Sequence, residues 1–329
     1  MKRSLLALLL LASAVLAVLL SVRFGSVPLT TSETVAALRG SGDEVHRSIL
    51  LDLRLPRAVL GLLVGGGLAL AGSVFQALLR NPLAEPFILG ISGGAAAGAV
   101  LVLALGLTAA GSGVLPVAAF AGALVAILLV FRVASAAERT LDVRVLLLAG
   151  VVVGSFFSAV IALILSLSEA RAVRSAILWM MGSLAGANWG SVMVVAAYTI
   201  PSALALMGLA RALNLMAVGE ETASYLGTDV ERVKRIAYGV ASLVTAAGVA
   251  VAGIIGFVGL IVPHGIRLLI GSDQRFLLPL SFLAGAAFLA LADLGARLLL
   301  APTEIPIGVV TAFLGVPLFL VLLRRSLTG

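Results

Sequence analysis

The chain has 329 residues, of which 61% are hydrophobic and 11% are charged, and its mean hydropathy is +1.21. These values lie outside the range of soluble globular domains, so water is excluded as the main solvent of the fold. The net charge of +7 could indicate a nucleic-acid partner, but the basic residues form no stripe with aromatic side chains between them, so no nucleic-acid partner is expected.

The apolar residues form blocks of about 20 that are separated by short polar breaks, and a helix of about 20 residues crosses a hydrocarbon core of roughly 30 Å. This pattern predicts ten spans, at residues 5–22, 58–79, 88–107, 114–131, 145–167, 192–210, 236–252, 254–270, 280–298 and 307–323. The division between the seventh and eighth spans is the weakest, because no charged residue marks a turn there before Arg267. The sequence therefore predicts an all-α, polytopic membrane protein with one transmembrane domain over residues 1–329.

The basic residues predict the orientation of these spans. With the N-terminus inside, most Lys and Arg residues are cytoplasmic, among them Arg132, Arg139 and Arg144, as the positive-inside rule requires. Both termini are then expected to lie on the cytoplasmic side of the inner (plasma) membrane. Residues 1–21 also resemble a cleaved signal peptide, but their apolar run is longer than a typical signal core. A retained first helix is therefore favoured.

The longest polar stretch, residues 23–56, is predicted to be an external loop. Within it, Thr30 and Glu33 form a capping-box pattern for a short helix that ends near Gly40. Arg54 and Arg57 follow at the head of the second span, where two guanidinium groups three residues apart point to nearly the same side. Such groups suit pairing with carboxylates of a partner, although anchoring to membrane lipid explains them equally well.

A second polar segment follows the inner end of that span. Pro82 and Pro86 impose a non-helical connection, in which Asn81 and Glu85 can satisfy the freed backbone groups. Irregular backbone at membrane depth usually lines a cavity or a gate, and a structural re-entrant turn is the alternative.

Residues 219–233 are predicted to be a compact cytoplasmic loop with two short amphipathic helices. Gly227 ends the first helix, and Thr228 with Glu231 forms a capping box that starts the second. A rigid knob of this kind would let a soluble partner push on the membrane bundle, and an ordinary capped loop is the alternative.

Near the C-terminus, Asp293 and Arg297 are spaced i, i+4 and are predicted to form an ion pair rather than a proton relay. His264 stands beside a proline, and no second ligand accompanies it, so a satisfied helix-end side chain is favoured over a metal ligand. Because cysteine is also absent, neither a metal site nor a cofactor is predicted.

Several long motifs in order make the chain resemble the FecCD-type permeases of binding-protein-dependent ABC importers, which include the vitamin B12, iron-siderophore and haem permeases. The matching residues are Arg54-Leu55-Pro56-Arg57, Gly72 with Gln76, Asn81 to Pro86, Gly219 with Ala223 and Leu226-Gly227, Gly256 to His264 with Arg267, Asp293 with Arg297, and Glu304 to Gly308. The resemblance implies a fold like that of type II ABC importer permeases, with about ten transmembrane helices. It also implies a homodimer, two copies of a cytoplasmic ATPase, and a periplasmic or lipid-anchored substrate-binding protein.

The resemblance further implies roles for individual residues. Three arginines on the outer face would dock the binding protein: Arg54, Arg57 and Arg297. The cytoplasmic gate would be formed by Asn81, Pro82 and Leu83. The ATPase coupling segment would contain Gly219, Glu220, Glu221, Ala223, Leu226 and Gly227. The central pathway would be bordered by Gly150, Gly154, Met180 and Met181.

The chain itself is not predicted to be an enzyme. Its two lysines, Lys2 and Lys234, do not follow a glycine-rich phosphate-binding loop, so the energy for transport must come from a partner or a gradient. A gradient-driven transporter is the competing hypothesis, but such proteins usually keep ionisable groups at mid-membrane, and here Asp293 comes nearest to that position. An iron-siderophore is the expected substrate, with cobalamin or haem as the alternatives.

Overall fold

The computed structural model describes residues 2–25, 27–111, 113–137 and 142–328, and within these ranges it consists of helices and loops without strands. The predicted cytoplasmic position of Arg139 lies outside the described residues. The α-helices are α1 (Lys2–Arg23), α2 (Thr31–Leu38), α3 (Glu44–Ser48), α4 (Leu55–Leu78), α5 (Ile91–Ala104), α6 (Val114–Ala137), α7 (Val143–Ser166), α8 (Ala170–Met180), α9 (Trp189–Gly208), α10 (Ala210–Val218), α11 (Glu220–Tyr225), α12 (Val230–Ala252), α13 (Val258–Ile270), α14 (Gln274–Leu298) and α15 (Ile307–Thr328).

The described helices confirm a polytopic all-α membrane protein. Seven of them are long and apolar enough to cross a membrane by length and composition: α1, α4 with the residues before it, α6, α7, α9, α12 and α14. Three shorter apolar helices, α5, α13 and α15, coincide with the remaining predicted spans. The prediction of about ten membrane helices is therefore consistent with the structure.

Helix α4 is the centre of the bundle, because most of its length is buried between α9, α12, α13 and α14. Glycines allow this crowding. A Cβ atom at Gly65 would overlap the backbone of Gly285 on α14, and a Cβ atom at Gly72 would overlap the backbone of Gly259 on α13. In lipid, such close approach replaces the hydrophobic driving force that packs helices in water.

The predicted division between the seventh and eighth spans is confirmed. Helix α12 ends at Ala252 and α13 begins at Val258, with Gly253 and Phe257 in the left-handed region at a φ of 69° each. The carbonyl of Ala252, which α12 leaves without a helical partner, accepts a hydrogen bond from the Ser183 amide at 2.8 Å. The break therefore has a partner in the connection that follows α8.

The external segment is more ordered than the predicted loop. The capping box of Thr30 and Glu33 is confirmed, and the helix that it starts ends at Leu38. Helix α3 continues through a π-helical turn, Ile49–Arg54, into α4. The indole of Trp189 donates a hydrogen bond to the carbonyl of Leu51 at 2.9 Å, so this layer is tied to the start of α9.

The prediction for the cytoplasmic loop is wrong at its second half. Asp229 is the residue that caps α12, and its side chain accepts a hydrogen bond from the Arg232 amide at 3.1 Å. Thr228 and Glu231 therefore form no capping box, and the predicted second short helix is the first turn of the long helix α12. Asp229, one residue closer to the helix than Thr228, takes the N-cap position, so the loop ends at residue 229 instead of 233.

Candidate functional site

An ion-pair network joins α4, α14 and the segment before α15 on the predicted outer face. The Arg57 guanidinium group pairs with Asp293 at 2.9 Å and with Glu304 at 2.8 Å. Arg297 Nε lies 3.2 Å from the other carboxylate oxygen of Asp293, which confirms the predicted ion pair. Because two cations meet two carboxylates, the network is neutral as a whole.

Arg54 lies at the same end of α4 but does not belong to this network. Its side chain is buried, and its guanidinium group donates hydrogen bonds to the backbone carbonyls of Val22, Arg23 and Val27. Arg54 therefore holds the end of α1 against the start of α4. All three arginines expected to dock a binding protein have partners within the chain, and Arg57 and Glu304 form the more exposed edge of the set.

The predicted gate residues lie in the turn after α4. Arg80 adopts the left-handed conformation with a φ of 48°, and the next amide, that of Asn81, returns to the Gln76 carbonyl at 3.1 Å. The Asn81 side chain then accepts a hydrogen bond from the Leu83 amide at 2.9 Å. Asn81 thus fixes the shape of the turn, as its predicted role of satisfying freed backbone groups requires.

Side-chain hydrogen bonds attach this turn to α13. The Glu85 carboxylate accepts from the Phe257 amide at 2.6 Å, and Gln76 accepts from Arg267 at 2.8 Å while donating to the Leu260 carbonyl at 3.1 Å. Burial raises the pKa of the Glu85 carboxyl, and the hydrogen bond from Phe257 opposes that shift. Pro82 and Leu83 line a narrow crevice with residues of α13. The gate turn and the break before α13 are therefore mechanically joined.

The predicted cytoplasmic knob is α11 with the residues that flank it. Gly227 ends the helix as predicted, with a φ of 84° and its amide donating to the Ser224 carbonyl at 2.9 Å. Ala223 faces inward and is fully buried, whereas Tyr225 is 89% exposed and Leu226 is 64% exposed. The knob thus has one packed face and one free apolar face.

The two acidic residues of α11 point in different directions. Glu221 is exposed, whereas the Glu220 carboxylate lies 2.6 Å from Lys234 Nζ on α12 and 3.4 Å from Arg80 in the gate turn. The resemblance implies the same coupling role for both glutamates, but the geometry leaves Glu221 free to contact a partner and pairs Glu220 within the chain.

The four predicted pathway residues fall into two groups. Met180 and Met181 line an apolar cavity of about 580 Å³ with Phe257, Gly308 and Phe313. Gly150 instead packs against the segment that follows the gate turn, because a Cβ atom at Gly150 would lie 2.7 Å from the Ile88 carbonyl oxygen.

Gly154 belongs with Gly150, since a Cβ atom at Gly154 would lie 3.8 Å from the Cα atom of Gly90. The glycine face of α7 thus supports the 3₁₀ helix Pro86–Leu89 that follows the gate turn. Among the described residues, no group of three His, Asp or Glu side chains is placed to hold a metal ion.

Sequence reasoning missed the partners of these residues rather than the residues themselves. Glu304 was part of a recognised motif, but nothing in the sequence pairs it with Arg57, which lies 247 positions earlier. Arg80 and Lys234 stand in or next to motifs as well, yet their contact with Glu220 depends on how α11 folds back against α12.

Comparison with known proteins gives consistent matches. The model of the FecCD transport family matches residues 11–325. The chain is 45% identical over 297 residues to the cobalamin import system permease protein BtuC of Halobacterium salinarum, covering 90% of this chain and 79% of that protein. It is 40% identical over 283 residues to the hemin transport system permease protein HmuU of Yersinia pestis, covering 84% of each. A solved structure described as an inward-facing metal-chelate type ABC transporter matches with a TM-score of 0.87 and 31% identity, over 97% of this chain and 98% of that one.

Proposed function

Because the chain belongs to the FecCD transport family and is the permease subunit of an ABC importer of the metal-chelate type, we propose that it carries an intact metal chelate across the plasma membrane. We favour cobalamin as the substrate, since a relative that is 45% identical is named for cobalamin import. The iron-siderophore expected from the sequence and the haem suggested by the hemin permease are the other chelates to test.

The chain is not itself an enzyme, and ATP is hydrolysed by a separate ATPase. Family membership therefore decides against the gradient-driven alternative. ABC importer permeases also work with a substrate-binding protein. We propose two ATPase copies, a homodimer of this chain, and cytoplasmic termini, with the cavity beside Met180 and Met181 facing the dimer axis.

The observation that carries the proposal is the free apolar face of α11. Tyr225 and Leu226 at its end are 89% and 64% exposed on the predicted cytoplasmic side, and Val218 at the end of α10 is 77% exposed. Exposed apolar side chains on a short rigid helix suit insertion into a groove of a soluble partner. We propose that this face enters a groove of the ATPase, beside Gly219, Glu221 and Gly227.

On the outer face we propose that the binding protein docks on the Arg57 edge of the ion-pair network. A carboxylate of the partner can exchange with Glu304, whose side chain is 34% exposed, for the bidentate interaction with Arg57. Arg297 and Arg54 would support this edge from below, since both are nearly buried. Residues 81–83 would close the cytoplasmic end of the pathway.

The test is assembly followed by transport. The chain, co-expressed with its candidate ATPase and binding protein, should retain the ATPase through purification, and proteoliposomes should take up cobalamin, haem or a ferric siderophore only with ATP. The double variant Tyr225→Ala/Leu226→Ala should lose the ATPase. The matched control Val45→Ala removes an apolar side chain, 62% exposed, from the external layer and should keep it.

If the unaltered chain retains no ATPase, the assignment of α11 as the coupling element is refuted. If the ATPase is retained but none of the three chelates is taken up, the chelate substrate is refuted while the coupling role stands.

A further inference from the structure

The Glu220 carboxylate lies between two cations that belong to different parts of the bundle. One oxygen is 2.6 Å from Lys234 Nζ in the first turns of α12, and the other is 3.4 Å from Arg80 Nη2 in the gate turn. Lys234 is also 3.3 Å from Glu231. The knob, the gate turn and α12 therefore meet at one side chain.

The two contacts of Glu220 differ in strength. Lys234 is 4% exposed, and a nearly buried ammonium group requires its carboxylates, so this contact fixes the start of α11 to α12. The Arg80 side chain is 45% exposed and its contact is longer, which makes this ion pair weak and exchangeable. The strong contact is thus an anchor, and the weak contact can break and re-form during a transport cycle.

Arg80 is placed where a pull on its side chain changes the gate backbone. It adopts a left-handed backbone conformation without being glycine, directly before Asn81, so the surrounding contacts must hold it there. Its amide donates to the Ala77 carbonyl at 3.3 Å, which closes the end of α4. A shift of α11 that moves the Glu220 carboxylate therefore acts on the turn from which Asn81, Pro82 and Leu83 start.

We propose that Glu220 is a positioning residue that transmits the movement of α11 to the gate turn through Arg80, whereas Glu221, Tyr225 and Leu226 face the ATPase. This inference rests on the proposed coupling role of α11 and divides the acidic pair of that helix between two tasks. Glu220 moves with α11, and its ion pair with Arg80 transmits that movement to the gate turn.

The experiment measures uptake per ATP hydrolysed in proteoliposomes that contain the whole transporter. Arg80→Gln removes the charge that contacts Glu220 and leaves Lys234 paired. We expect it to retain the ATPase but to lower uptake per ATP about 5- to 10-fold, the lower end of typical couplings between sites. Arg80→Lys should restore most of the loss. The matched control Arg275→Gln breaks another cytoplasmic Arg–carboxylate pair, that with Asp273 at 2.8 Å, and should leave the ratio unchanged.

A double variant separates transmission from general damage. If Arg80 and Glu220 act through each other, Arg80→Gln/Glu220→Gln should lower the ratio no further than the worse single variant. The proposal is overturned if the double variant lowers uptake per ATP by the product of the two single losses. It is also overturned if Arg80→Gln leaves uptake per ATP unchanged. Either result would leave the proposed function intact, because that function fails only if the unaltered chain binds no ATPase or transports nothing.

Discussion

Asp293→Asn removes the carboxylate that lies between Arg57 and Arg297. Asp293 is 2% exposed, and the Arg57 and Arg297 side chains are 11% and 5% exposed, so solvent cannot screen the positive charges that the substitution leaves unpaired. The substitution turns a neutral network into one with a net positive charge and leaves Arg297 without its ion-pair partner. Breaking a buried pair on one side costs about 3–5 kcal/mol, and we expect the free energy of unfolding to fall by about that amount.

Glu304→Gln is the matched comparison, because it removes the other carboxylate partner of Arg57. The Glu304 side chain is 34% exposed, so solvent can screen the remaining charge, and we expect a loss of about 0–1 kcal/mol. The two variants remove the same charge, but Asp293 is more deeply buried and pairs with both Arg57 and Arg297, whereas Glu304 pairs with Arg57. A larger loss of stability for Asp293→Asn therefore tests the combined effect of burial and of the second ion pair.

The assay is equilibrium unfolding of the purified chain in mixed detergent micelles, followed by tryptophan fluorescence. The double variant Arg57→Gln/Asp293→Asn should cost less than the sum of its single variants, because the second change removes a charge that the first left unpaired. Equal losses for Asp293→Asn and Glu304→Gln, or a double variant that is fully additive, would refute the reasoning.

Three further predictions concern packing, the gate and the external layer. Gly72→Ala should abolish folding or cost more than about 3 kcal/mol, because its Cβ atom would overlap Gly259, whereas Gly239→Ala on α12 has open space and should stabilise the chain by up to about 1 kcal/mol in the same assay. Burial raises the pKa of Glu85, so the native state holds the carboxyl proton more tightly than the unfolded chain, and the unaltered chain loses stability as pH rises above the ordinary carboxyl pKa. Glu85→Gln lacks this loss, so its melting temperature should rise relative to that of the unaltered chain between pH 4 and pH 7. A difference in melting temperature that does not change with pH would contradict this. Trp189→Phe should lower the free energy of unfolding by about 0.5–1.5 kcal/mol through the lost hydrogen bond to Leu51, and should increase protease access to residues 49–54.

The proposed coupling role of α11 would use a short path from the knob to the predicted gate. Glu220 reaches Arg80 directly, and Glu85 reaches the Phe257 amide at 2.6 Å. Phe257 in turn lines the cavity beside Met180 and Met181. Two polar contacts thus connect three elements that are far apart in the chain. In the proposed mechanism, a movement of α11 would pass through one turn before it reaches the break before α13.

The sequence by itself determined the class of protein, the position of its apolar helices and the local signals at their ends. These features depend on residues close together in the chain: runs of about 20 apolar residues, the capping box at Thr30, and Gly227 after α11. The failure at Thr228 shows the limit of such signals, because two residues of one loop offered a cap and the geometry used Asp229.

Only the tertiary structure decided which charges neutralise each other and which faces remain free. Arg57 and Asp293 are separated by 236 positions, and any of the basic residues near span ends could have met that carboxylate. Glu220 and Glu221 cannot be told apart from the sequence. Adjacent residues point to different sides of α11, so Glu220 contacts Arg80 and Lys234 and Glu221 faces solvent. Pairing of this kind follows from how helices cross, and the crossings are set by small residues such as Gly65 and Gly72, whose partners lie on helices far along the chain.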